Sequence, residues 1–177
     1  MGQYFIAALL DTTGRITRAV HPVHYGSLHK LGGHSRAATP FLAAVETLLS
    51  LDSGSRLVWV GDEAEPEPGQ DANLYWLTEP HQFVRFADLI DPDSDVEPNA
   101  TRPAGTAGGR YVCNTDRGEY FDKAALPRGP QGESRNLLPA LTADGYSITG
   151  PWARNHIHLT DTRPDSGWTQ LRTPPSI

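Results

Sequence analysis

One cysteine, two lysines and no long apolar run are what this chain of 177 residues offers least of. Cys113 is alone, so no disulfide forms within the chain and a cysteine-rich zinc site is excluded. That usage fits a reducing compartment. Lys30 and Lys123 are the only lysines, the arginines are scattered, and the net charge is -6. Nucleic-acid binding leans on basic residues that neutralise phosphates, so no nucleic-acid partner is expected. The apolar run Phe5 to Leu10 falls far short of the ~20 residues of a membrane span. No basic segment precedes it, as a signal peptide would require. Ile6 stands where myristoylation needs Ser or Thr. These absences point to a soluble, cytoplasmic protein with no membrane partner. Motifs of the GxSxG, paired GxG and HExxH kinds are missing as well.

What is present is turn chemistry around a modest core. Hydrophobic residues make up 38% of the chain, with 17 glycines and 15 prolines. Gln3 to Leu10 is apolar and β-prone, and predicts a buried strand. "DTTG" turns it, and Arg15 to Val20 pairs back as a hairpin. Thr39 suits an N-cap and Pro40 the first position of a helix over Pro40 to Leu51. Phe41, Ala44, Val45, Leu48 and Leu49 form its apolar stripe. Leu57 to Val60 is apolar on both faces, which predicts a strand inside a sheet. "ANLYWL" and Gln82 to Leu89 are open between helix and strand. Asp91 to Gly109 is acidic, rich in Pro and Gly, and predicts a mobile loop. "RYVCNTDRGEYFD" is the clearest hairpin, with Gly118 at its turn. Leu137, Leu138 and Leu141 suggest one helical turn, "DGYSITGPW" a loop, and Asn155 to Thr160 a strand. The expectation is a single α+β domain over 1–160, a mostly antiparallel sheet with one main helix and long loops, and a frayed tail over 161–177.

These segments, in order, resemble a group of small, functionally uncharacterised proteins of bacterial and phage genomes that begin "MGQYY". Their later landmarks are "KL-x-EHS", "VVWAGDYAD", "NLY", a "YLVNHTKKEYVD"-like hairpin and "SWARD". This chain has "KLGGHS" at Lys30 to Ser35, "LVWVGDEAE" at Leu57 to Glu65, and "NLY" at Asn73 to Tyr75. Tyr111 to Asp122 and "WARN" at Trp152 to Asn155 complete the set. Gly33, Glu63 and Asn155 replace the Glu, Tyr and Asp of the pattern, and a Gly-rich insertion before the last landmark is absent. The resemblance implies a grouping and no mechanism.

Four of the seven histidines lie between His21 and His34. Pro22 and Gly26 argue against a helix that would align His21 with His24, and no metal motif is present. His156 and His158 share one face of their strand, as two ligands or as two surface residues. We expect no bound transition metal and no cofactor. The group His34, Ser35, Arg36 and Thr39 precedes the Pro40 helix. A helix N-terminus offers unpaired N–H groups and a positive dipole end, so this group has the makings of a phosphate or carboxylate site, or of a capped helix and nothing more. Asp62 follows the Leu57 strand and pairs with Glu63 as a candidate acid–base or solvated loop. Trp152 and Arg154 can stack on or clamp a ligand, or anchor a loop. Three functions stay open: a small binding protein recognising an anionic molecule at the helix start, a His- or metal-dependent hydrolase using the His-rich loop, and an accessory protein-interaction module. The first is the reading these residues favour, with His34, Ser35, Arg36, Thr39, Asp62, Trp152 and Arg154 as its ligand-binding set.

Overall fold

The computed structural model describes residues 2–37, 39–51, 53–78, 82–83 and 109–173. The helix expected at Pro40 is there as α2 (Pro40–Leu51), following a short α1 (Leu31–His34). Thr39 caps α2, its hydroxyl accepting from the Leu42 N–H at 3.2 Å. Phe41, Val45, Leu48 and Leu49 are buried along one stripe. Ser53 and Gly54 then take left-handed backbone, and the Gly54 N–H returns to the Leu49 carbonyl at 2.8 Å. An added Cβ at Gly54 would lie 2.6 Å from the His156 ring, so glycine is what lets this turn sit against the next strand.

The strands β1 (Phe5–Leu10), β2 (Ile16–Val20) and β3 (Ser55–Gly61) form the middle of the sheet. β4 (Gln82–Phe83) adds to β2, and β5 (Tyr111–Asn114) and β6 (Glu119–Asp122) make the expected hairpin. β7 (Ala143–Gly145), β8 (Ile148–Thr149), β9 (Asn155–Thr160) and β10 (Thr169–Gln170) complete it. The order is β10-β6-β5-β9-β3-β1-β2-β4, with β7 and β8 branching from β3. β3 pairs β1 along one edge, while β9 and β7 share the other. Most pairings are antiparallel; β2–β4, β3–β7 and β6–β10 are parallel. The molecule is a single α+β domain with a mostly antiparallel sheet, as its pattern of strand runs and one long amphipathic helix requires.

Alternation along the strands sorts the core into two faces. Phe5, Ala7, Leu9, Leu57, Trp59, Val112, Phe121 and Ile157 pack under α2 and α4 (Leu138–Leu141). Ile6, Ala8, Leu10, Val58 and Val60 point the other way and meet Leu74 of α3 (Leu74–Leu77). Farther along that face Tyr111, Cys113 and Tyr120 pack against Trp168. "ANLYWL" is therefore a helical turn, capped by Asn73, whose side chain accepts from the Tyr75 N–H at 3.0 Å.

Two expectations change. "DGYSITGPW" is no plain loop, because Asp144 and Gly145 pair with Thr149 and Ile148 in a tight hairpin. Residues after Thr160, read as a frayed tail, carry β10, where Thr169 and Gln170 align with Glu119 and Tyr120. The expected mobile loop at 91–109 lies outside the described residues except for Gly109, as do most of Gln82 to Leu89. Among the described residues no helix is long and apolar enough to cross a membrane.

Candidate functional site

Most of the polar side chains at the start of α2 are engaged within the protein. His34 ends α1 at 0% exposure, under Phe41 and Trp59. Its Nδ1 accepts the Trp59 indole N–H at 2.9 Å. An accepting Nδ1 puts the ring proton on Nε2, which donates to the Leu28 carbonyl. Both nitrogens thus have protein partners. Burial, reinforced by His29 and His21 and opposed by the Leu28 carbonyl, holds the His34 pKa down at about 4, so the ring is neutral near pH 7. The Ser35 hydroxyl turns back to the Leu31 carbonyl at 3.2 Å. Pro40 brings no N–H, and those of Leu42 and Ala43 go to the Thr39 hydroxyl and carbonyl. Phe41 is left as the only first-turn N–H outside this cap. Arg36 is exposed, its backbone bridged to Arg135.

Trp152 and Arg154 also serve the fold. Trp152 is fully buried, stacks on Phe121, and donates its indole N–H to Glu119 Oε2 at 2.6 Å. Arg154 donates to Glu67 at 2.8 and 2.5 Å and to Asp144 at 3.0 and 3.2 Å. Those carboxylates push its already high pKa up further. The acidic loop after β3 is therefore tied down through Glu67, while Glu63 and Glu65 face solvent.

Asp62 has a different setting. Its backbone and side chain clasp Tyr4: the Asp62 N–H donates to the Tyr4 carbonyl at 2.9 Å, and Oδ1 accepts the Tyr4 N–H at 3.0 Å. The Trp76 indole N–H reaches the Asp62 carbonyl at 3.2 Å. Trp76 packs edge-on against Tyr75, with ring centroids 5.0 Å apart. Burial, then the negative charge of Asp62, then Tyr4, raise the Tyr75 pKa, so the Tyr75 hydroxyl stays protonated. Trp76 is 61% exposed and Tyr4 49%. Tyr4 and Trp76 are thus hydrogen-bonded to Asp62, Tyr75 lies near its charge, and Oδ2 of the carboxylate has no bonded partner among the described residues. The sequence singled out Asp62 but not Tyr4, Tyr75 or Trp76. The available signal was the adjacent pair Tyr75–Trp76 right after a capping Asn73, on a turn too short to bury both rings.

The histidine stretch borders this surface. His21 lies with ring centroids 5.8 Å from both His24 and His29. His29 packs edge-on with Tyr4 at 5.4 Å, and His21 with Tyr75 at 6.4 Å. His21 Nδ1 accepts the Val23 N–H at 3.3 Å, which caps the helical turn Pro22–Tyr25. Folding therefore gathers three of the four histidines that spacing alone left apart. His156 and His158 share the Thr115 hydroxyl at 3.4 and 3.1 Å on the far side of the sheet from α2. Burial, then His156, lowers the His158 pKa. Among the described residues no three His, Cys, Asp or Glu side chains are placed to hold a metal ion. Cys113 is buried in β5, and burial raises its thiol to about 11, so it is no thiolate near pH 7.

No family model matches the chain, and neither a curated protein nor a solved structure is found similar to it.

Proposed function

We propose that this chain is a binding protein without turnover, and that it recognises a cationic side chain, Arg or Lys, presented by a basic segment of a partner protein. One observation carries the reading: Tyr4 and Trp76, both exposed, are hydrogen-bonded to Asp62, and Tyr75 lies near the Asp62 charge. Aromatic faces attract cations through the ring quadrupole, and a carboxylate in the same patch adds a charge-assisted partner. Exposed Glu63 and Glu65 beside it, and a net charge of -6, favour the approach of a basic segment. The sign is opposite to the anion site expected at the helix start, whose hydroxyls and imidazole are engaged within the protein. The hydrolase reading has less support, since among the described residues no imidazole in the His21–His29 cluster is bonded to a hydroxyl or thiol.

The grouping with the "MGQYY" proteins belongs to the same proposal. Three landmarks that carry the resemblance supply Tyr4, Asp62 and Tyr75, and they meet in one place. A tryptophan-fluorescence titration at pH 7.5 with an acetylated hexa-arginine peptide tests the reading. Binding is expected, with Asp62→Asn and Trp76→Ala each weakening it about tenfold, the size of one charge-assisted or cation–π contact. Equal affinity in both variants, or preference for a hexa-glutamate peptide, overturns it.

A further inference from the structure

We propose that His21, His24 and His29 form a pH gate on this surface, which holds a basic segment at neutral pH and releases it on mild acidification. The inference rests on the cation-binding reading above and adds its regulation. Two of the three rings touch the aromatic residues of the site directly: His29 packs on Tyr4, and His21 on Tyr75. His21 stands between His24 and His29, with both ring centroids at 5.8 Å. A proton taken up by His21 or His29 places a positive charge beside the rings that a partner's cation would use, and His24 adds to it from behind His21. The electrostatic attraction then falls, because like charges at this range repel and the carboxylate of Asp62 is partly neutralised.

Each element packed on the cluster leaves the response in this direction. Tyr4 lies ahead of β1, and Tyr75, on α3, keeps its hydroxyl protonated because its pKa is raised. Asp62 is the carboxylate beside those two tyrosines. His34 on α1, held down at about 4, stays neutral over this interval, and Lys30 is the charged residue next to His29 in the chain. Burial, then His24 and His29, keep His21 below the usual imidazole range. Imidazole is the side chain whose charge changes over this interval without chemistry elsewhere.

Hexa-arginine affinity at pH 7.5 and 5.5, in the wild type and in two variants, is the experiment. Binding about tenfold or more weaker at pH 5.5 is expected for the wild type. His21→Gln/His24→Gln/His29→Gln should bind almost equally at both pH values. His24→Gln/His29→Gln keeps the cap made by His21 and should show an intermediate loss, which guards against misfolding of the triple variant. His156→Gln/His158→Gln, remote from the cluster, should keep the full loss. Absence of binding at pH 7.5 defeats the cation reading and the gate together. Binding at pH 7.5 that is unchanged at 5.5, or an undiminished loss in the cluster variants, defeats the gate alone.

Discussion

The Trp59 indole and the His34 imidazole form a buried hydrogen bond, Nε1–H to Nδ1 at 2.9 Å, between the centre of β3 and the end of α1. The bond fixes His34 as the tautomer with its proton on Nε2, and that proton goes to the Leu28 carbonyl. An imidazolium would need a proton on Nδ1 as well. Nδ1 would then face a donor, and the bond to Trp59 would be lost.

A pH dependence of stability follows. The folded His34 pKa of about 4 lies below its unfolded value near 6.5. Above pH ~6.5 the ring is neutral in both states, and the contribution is complete. As pH falls from there to about 4 the unfolded chain takes up the proton and the folded one does not, so stability declines. A shift of that size corresponds to about 3 kcal/mol as an upper bound. Urea denaturation at pH 7 and pH 4.5 reads it. His34→Phe should be less stable at pH 7, since the Trp59 N–H is orphaned, but should lose much less on acidification. An equal loss in wild type and variant would place the acid sensitivity elsewhere.

The same pair shows where sequence reasoning reaches and where it stops. β1, α2 and the β5–β6 hairpin were legible because each holds several turns of one period: six apolar residues, a stripe of five, two runs about a glycine turn. β7, β8 and β10 hold two or three residues each, too few for any period, and exist through a partner edge. The residues before α2 looked like an anion site because hydroxyls, Arg, His and glycines stand in a row. What engages His34 lies 25 residues away on β3, and no local spacing displays it. The surface around Asp62 was half visible for the same reason. Tyr4 reaches it from 58 positions earlier, and only the pairing of β1 with β3 brings the two together.

Lys123 and Glu46 should behave as a unit. Lys123 Nζ lies 2.8 Å from Glu46 Oε2, and Asn136 donates to Oε1 at 2.8 Å, with both charged side chains under a tenth exposed. Lys123→Met leaves a buried carboxylate without its cation and should cost about 3–5 kcal/mol at pH 8. Burial already raises the Glu46 pKa, and removing Lys123 takes away the largest opposing influence. A raised folded pKa gives stability that is present at low pH and lost as pH rises through it, so this variant should be more stable at pH 5 than at pH 8. Glu46→Met/Lys123→Met should recover at least half of the loss by urea denaturation. Additive losses in the double variant would mean that the two side chains stabilise the fold independently.

Arg154 is expected to anchor the loop that carries Asp62, not to clamp a ligand. It occupies left-handed backbone at φ 64, between Trp152 and β9. Its guanidinium holds Glu67 of the acidic loop and Asp144 of β7, while its carbonyl accepts from Arg56 at 3.0 Å. Non-glycine residues in that conformation cost about 1 kcal/mol or more, which the surrounding bonds must offset. Arg154→Ala keeps the backbone cost and loses both carboxylates, so it should destabilise by about 1–2 kcal/mol, discounted because the side chain is partly exposed. Arg154→Gly loses the same ion pairs but frees the backbone, and should be up to about 1 kcal/mol more stable than the alanine variant. Thermal denaturation compares the two. Hydrogen exchange should also quicken over 62–73 in both, because Glu67 is released while the bonds of Asn73 to Asp62 and Ala64 remain. Unchanged stability and exchange in Arg154→Ala would mark the guanidinium as idle in the fold, and so as a group free to meet a ligand.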